Sequence, residues 1–182
     1  ATIQAPVQFD IPTVSVTYYE DGNRIRVGGC RGTATIVWES GKPGMMEITL
    51  MGLHDGETTT QMLATTTANE ATPPVFFGAS FTIDHTFHPL ISNYSVDLGR
   101  ETAKRSDVEK ASGYGFTASF ARAITGSLDA EAVHESIFAF IGKAKDAVPI
   151  AIRGSYGTGG TGNAFDMLAP AVQFNIAPGD RD

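Results

Sequence analysis

Apolar and polar residues alternate along much of this chain, the period of half-buried β-strands. In Thr13–Tyr19, Val14, Val16 and Tyr18 share one side, while Ser15 and Thr17 take the other. Glu20-Asp21-Gly22-Asn23 reads as a hairpin turn, because Asp-Gly supplies the positive φ angles of a tight turn. Arg24–Val27 returns with Ile25 and Val27 inward, and the glycine-rich Gly28–Gly32 is expected to break the strand. Thr33–Glu39 follows, with Ala34, Ile36 and Trp38 on one face and Trp38 placed in the core. A turn over Ser40–Gly44 and a strand over Met45–Leu53 complete an antiparallel meander, buried on one side. Further strands are expected at Val75–Phe77, Ser80–Asp84, Asn93–Leu98, Tyr114–Ile124, Val148–Arg153, Phe165–Leu168 and Val172–Ile176. In Tyr114–Ile124, Phe116, Ala118 and Phe120 share one face.

The period changes once. Val133, Ile137, Phe140, Ile141 and Ala144 follow helical spacing, within an arc of roughly 100°. Acidic Asp129 and Glu131 precede them and basic Lys143 and Lys145 close the segment, which suits the helix dipole. The pattern predicts one helix over Asp129–Lys145, halted before Pro149. Phe138 lies at the edge of the stripe, either as a core-edge aromatic or as a contact with a neighbouring subunit. Two stretches carry no period: His54–Pro73, rich in threonine, and Gly99–Ser112, rich in both charges. Both are expected to be polar excursions, and segments this long are uncommon without a role. The pattern gives a mainly β fold over residues 1–182 as a single domain, an antiparallel β-sandwich or barrel of roughly ten strands flanked by one helix.

Composition narrows the function classes. Thirteen basic against twenty acidic residues give a net charge of −7, which opposes unspecific binding to nucleic acid or an anionic membrane. The one cysteine, Cys30, excludes an internal disulfide and a cysteine-rich metal site. No apolar run approaches the ~18 residues of a membrane span, so no direct membrane insertion is expected.

Motifs with catalytic chemistry are sparse. Gly157–Gly162 matches the dinucleotide-binding glycine pattern, but Asn163-Ala164-Phe165 leads into a strand where the pyrophosphate needs a helix N-terminus. His85 and His88 stand three apart, and in an extended chain such positions face opposite ways. His54 is distant from them, and His134 reads as solvated beside the helical stripe. Cys30 sits beside Arg31, which favours a thiolate, yet a lone strand-end cysteine is more often inert. No Gly-x-Ser-x-Gly elbow and no paired acids occur. The residues point to a non-catalytic protein without metal, nucleotide or flavin. A non-catalytic binding module, for example a carbohydrate-binding β-sandwich, is one reading of such a chain.

A second reading comes from a resemblance. Residues 16–52, 93–115, 121–133 and 162–182 occur in an order that resembles the tail tube (major tail) proteins of long, non-contractile-tailed bacteriophages. The pieces that carry it are the Asp21-Gly22 hairpin, Gly29–Gly32 before a strand, Asp97-Leu98-Gly99, Ile124–Glu131, Gly162-Asn163, Ala169-Pro170 and Gly179–Asp182. The resemblance implies a β-sandwich subunit, six to a ring, with rings stacked on a tape-measure protein and closed by tail-terminator and tip proteins. It places the protein in the virion tail, assembled in the host bacterial cytoplasm, with DNA passing transiently through the lumen. Members carry a longer N-terminal part and a final strand, so this chain is expected to be a shorter variant or to lack those parts. Candidate inter-subunit contacts are Arg100, Glu101, Lys104, Arg105, Asp107, Glu109, Lys110 and Phe138. Candidate lumen-facing residues are Glu47, Thr49 and Asp97. Six copies at −7 each carry about −42 formal charges, compatible with a bore to which DNA does not adhere.

Overall fold

The computed structural model describes residues 12–60, 73–131, 133–157 and 164–175. These form ten strands and one short helix: β1 Val14–Glu20, β2 Asn23–Glu39, β3 Met45–Thr59, β4 Ser80–Ile83, β5 Ile91–Asp97, β6 Arg100–Ser106, β7 Tyr114–Arg122, β8 Thr125–Ala130, α1 Phe140–Lys145, β9 Ile150–Gly157 and β10 Ala164–Val172. The fold is mainly β with antiparallel pairing, of the β-sandwich type. A five-stranded sheet has the order β1-β2-β5-β8, with β3 also paired to β2. A second sheet has the order β10-β9-β4, and β6 pairs with β7 as a hairpin.

Turn chemistry sets the first hairpin. Asp21 and Gly22 both have positive φ, 48° and 79°, the twist that matches two right-twisted strands. β1 then pairs with β2 from Glu20↔Asn23 to Val14↔Cys30. The expected break at Gly28–Gly32 does not occur. β2 runs unbroken for 17 residues and absorbs the glycines as a bulge, marked by a register shift between Val14 and Val16.

The chain forms two compact units, each built from three separate stretches: Ala1–Ile36, Met46–Glu70 and Val96–Gly126, and Val37–Met45, Ala71–Ser95 and Ser127–Asp182. In the second unit, two layers close on an aromatic core. Trp38 from β2 is 3% exposed and stacks on Tyr94 of β5 at 5.2 Å between centroids. Phe165 of β10 and Phe81 of β4 close on that pair at 5.1 and 5.3 Å. Ile83 and Ile150 are fully buried beneath.

The helix is the main departure from the sequence pattern. Only Phe140–Lys145, six residues, is α-helical; Thr125–Ala130 is a strand and 135–137 a turn. Asp129 is therefore no helix-dipole acid. Its carboxylate accepts a hydrogen bond from Ser92 of β5, and Ser127 bonds Ser95 at 2.7 Å. Strand pairing wins over the helical stripe because Phe138, off the stripe, has the better burial site. It stacks on Phe87 at 4.6 Å and meets Phe140 at 4.6 Å, while Ile137 and Ile141 on the stripe stay exposed. Lys143 ties the short helix down through Asp84 at 2.7 Å.

Other boundaries also move. Gly99–Ser112 is not a loose excursion, since Arg100–Ser106 is a strand. His54–Thr59 continues β3, and 61–72 lie outside the described residues. Val75 makes one isolated bridge to Pro43 and no strand. Phe165–Leu168 and Val172 belong to one strand, β10, and Ile176 lies outside the described residues. In β7, Thr117 and Ser119 are buried beside Ala118, while Phe116 and Phe120, on the same face of the alternation as Ala118, remain partly exposed.

Two measurements check this packing. Gly99 has φ +53°, and a Cβ there meets the backbone carbonyl of Ala123. Gly99→Ala is expected to cost ~1–3 kcal/mol of unfolding free energy in a denaturant titration. Burial pushes the Tyr94 phenol up to about 12 from its ordinary 10. Below pH 10 the phenol is protonated in both states; above it the unfolded chain ionises first. Stability is therefore expected to fall as pH rises from 10 towards 12. Tyr94→Phe should flatten that decline relative to the parent chain, and an identical alkaline profile in both would refute it.

Candidate functional site

Most of the residues singled out by sequence lie in the first unit, on β3 and the β6–β7 hairpin. Alternation puts Met46, Ile48 and Leu50 on one face of β3 and Glu47 and Thr49 on the other. The apolar row is not covered: Met46, Ile48 and Leu50 are 53%, 58% and 44% exposed. Among the described residues β3 pairs only with β2, so one edge of its 15-residue backbone has no strand partner. Ile48 and Leu50 face an open cavity of about 270 Å³ lined also by Ala34, Leu98, Arg100 and Arg122.

The hairpin explains the two arginines. β6 and β7 pair antiparallel from Ser106↔Tyr114 to Arg100↔Arg122, which sets two guanidinium side chains opposite each other. Neither enters an ion pair among the described residues. Further along, the charged residues lie over aromatic rings. Lys104 Nζ stands 5.5 Å from the Tyr114 ring centre and the Arg105 guanidinium 5.0 Å from that of Phe120. Glu101, Glu109 and Lys110 are exposed. Asp107 is partly used at home, where its Oδ1 accepts from the Glu109 backbone N–H at 3.0 Å.

The lumen candidates separate. Glu47 and Thr49 are exposed. Asp97 is half-buried, and its Oδ1 accepts from the Gly99 backbone N–H at 2.8 Å and from Thr33 Oγ1 at 3.4 Å. Its carboxylate shapes the turn into β6, a local role that strand alternation does not reveal. Phe138, in the second unit, is only 7% exposed and fills the aromatic cluster with Phe87 and Phe140, so it is a core-edge residue rather than a contact surface.

Catalytic geometry is thin. Among the described residues no group of three His, Cys, Asp or Glu side chains is placed to hold a metal. His85 and His88 are exposed, with His85 in a turn at φ 66°. His134 Nδ1 lies 2.8 Å from Ser136 Oγ, a local turn contact. Cys30 is buried, and its thiol donates to the Val27 carbonyl at 3.4 Å. Of the glycine run, Gly157 ends β9 and residues 158–163 lie outside the described residues. On the exposed surface of β9 and β10, Arg153 makes a two-pronged bond to Asp166 at 3.2 and 2.8 Å, and this holds the Asp166 carboxyl below its usual range.

Sequence reasoning did not single out Arg122 or Val108. Arg122 ends a strand whose pattern looked apolar, and only register reveals its partner Arg100. Val108 is one valine among charges, without period. No family model, curated protein or solved structure matches this chain.

Proposed function

We propose that this chain is a structural subunit of a phage tail tube, forming hexameric rings that stack into a hollow conduit for DNA. The observation that carries the reading is the edge of β3 that has no strand partner among the described residues, with its half-exposed Met46, Ile48 and Leu50 row. A long strand with an unpaired edge and an apolar face is an aggregation hazard on a lone subunit. Ring closure covers such an edge and turns the hazard into an interface. The order of motifs from the Asp21-Gly22 hairpin to Gly179–Asp182 supports the same reading by resemblance. On this reading the subunit's other partners are the tape-measure, terminator and tip proteins, and its place is the virion tail. The glycan-binding alternative needs a stacking aromatic face; the one tryptophan, Trp38, is buried against Tyr94, while Phe77, Tyr114 and Phe116 are exposed, so glycan binding by the purified protein is the measurement that would favour it.

Glu47 and Thr49 become the lumen candidates, because they stand opposite the apolar row. A bore lined by acids releases DNA, since each phosphate held by a fixed cation adds to binding through counterion release. Negative-stain microscopy of the purified protein should show sixfold rings or tubes; a protein that stays monomeric at every concentration tested overturns the proposal. Glu47→Lys should leave tail length normal and lower DNA delivery, and normal delivery would remove Glu47 from the lumen.

A further inference from the structure

The first unit holds two features that match each other and cannot meet within one molecule. The first is the open cavity of about 270 Å³ lined by apolar Ala34, Ile48, Leu50 and Leu98 and by the two cations Arg100 and Arg122. Like charges directly opposite on paired strands are destabilising unless an anion joins them. Among the described residues no carboxylate pairs with either arginine.

The second feature is the turn that joins β6 to β7. Val108 in this turn is 100% exposed. The turn is ordered around it: Asp107 N–H donates to the Gly113 carbonyl at 2.9 Å, and Gly113 N–H to the Lys110 carbonyl at 2.8 Å. The Asp107 carboxylate is drawn back, capping the Glu109 N–H and lying against Gly115. That leaves Glu109 as the free acid beside the valine, exposed and without an ion pair among the described residues. A pre-ordered turn loses little entropy on docking.

We propose that Val108 and Glu109 of one copy dock into this cavity of a second copy, the isopropyl group against Ile48 and Leu50 and the carboxylate between Arg100 and Arg122. The match is one of chemistry: an apolar knob with one anion, and a largely apolar hollow lined also by two cations. The occupant is a second copy because the knob sits at the far end of the same hairpin. The seven residues of β6 separate the turn from the arginines by roughly 23 Å, so a molecule cannot fill its own cavity. The contact is head-to-tail, and such contacts propagate into rings when the rotation closes and into filaments when it does not. The inference rests on the reading that this chain associates with itself, and it names the residues of one joint.

The test is assembly measured by sedimentation and microscopy for the parent chain and for Val108→Ser, Arg122→Glu, Glu109→Arg and the Arg122→Glu/Glu109→Arg pair. Val108, Glu109 and Arg122 are exposed, so the variants should fold, and circular dichroism verifies this. Each single change should raise the concentration needed for assembly about 10-fold or more, and the charge-swapped pair should recover most of it. A disulfide is also expected when Val108→Cys copies are mixed with Leu50→Cys copies, and not within either alone. If the parent assembles and all variants assemble equally well, the docking is overturned while self-assembly stands. If the parent forms oligomers that are neither rings nor tubes, yet Val108→Ser disrupts them, the docking stands and the tube reading falls. A parent that never associates overturns both.

Discussion

The backbone ladder along Asn23–Glu39 is the constraint on which the large sheet depends. β2 is bonded to β1 over Asn23–Cys30, to β5, and to β3. Leu98 N–H donates to Ala34 and Ser40 N–H to Ser92, two bonds that fix the register of β5 against the later half of β2 and its end. Such a strand must keep its donors and acceptors paired throughout, because a buried unpaired peptide group costs as much as a lost hydrogen bond. The glycines at its centre serve that continuity. Gly32 lies so close to the Thr49 backbone that a Cβ would collide with its carbonyl, and Gly52 packs in the same way on Cys30. A composition that reads as a break is what lets three strands lie against one another here.

This explains which parts of the fold were legible. Asp21-Gly22, the alternation of β1 and the burial of Trp38 follow from rules that act within a few residues. The continuity of β2 does not, because glycine at a close backbone approach and glycine in a turn look alike in sequence. Arg100–Ser106 looks like a loop because an exposed strand needs no apolar period. Its order comes from its partner, β7. The helical stripe over Val133–Ala144 is real as a pattern, but the segment before it is held by Ser92 and Ser95, and the cluster around Phe138 gains more from stacked rings than from a helix face. Six helical residues with Gly142 among them add little stability alone.

The candidate surface was legible in part for the same reason. Glu47, Arg100 and Glu109 can be named from charge and position alone. The cavity needs the third dimension: Ala34 and Leu50 come from two strands and Leu98 from the turn between β5 and β6, and Arg122 joins them only by register. Asp97 shows what sequence leaves out, a carboxylate that also accepts local hydrogen bonds from Gly99 and Thr33.

If this acidic chain associates with itself as proposed, it must balance two forces of different reach. Net charge of −7 repels copies at long range, but at physiological salt that repulsion is screened beyond ~8 Å. Apolar contact acts only on touching and is not screened. The half-exposed row on β3 and the isolated Val108 are short-range attractions of this kind. A carboxylate placed between Arg100 and Arg122 adds a local attraction whose sign opposes the net charge, and it is strongest where water is excluded. In the proposed docking, specificity would follow from that opposition. A copy approaching in the wrong orientation meets acid against acid, while the one that presents Glu109 to the paired arginines exchanges two unpaired cations for a bridged pair. In the proposed docking, the general acidity of the chain and the two arginines that have no ion pair among the described residues would act as one device, in which the first discourages most encounters and the second selects among those that remain.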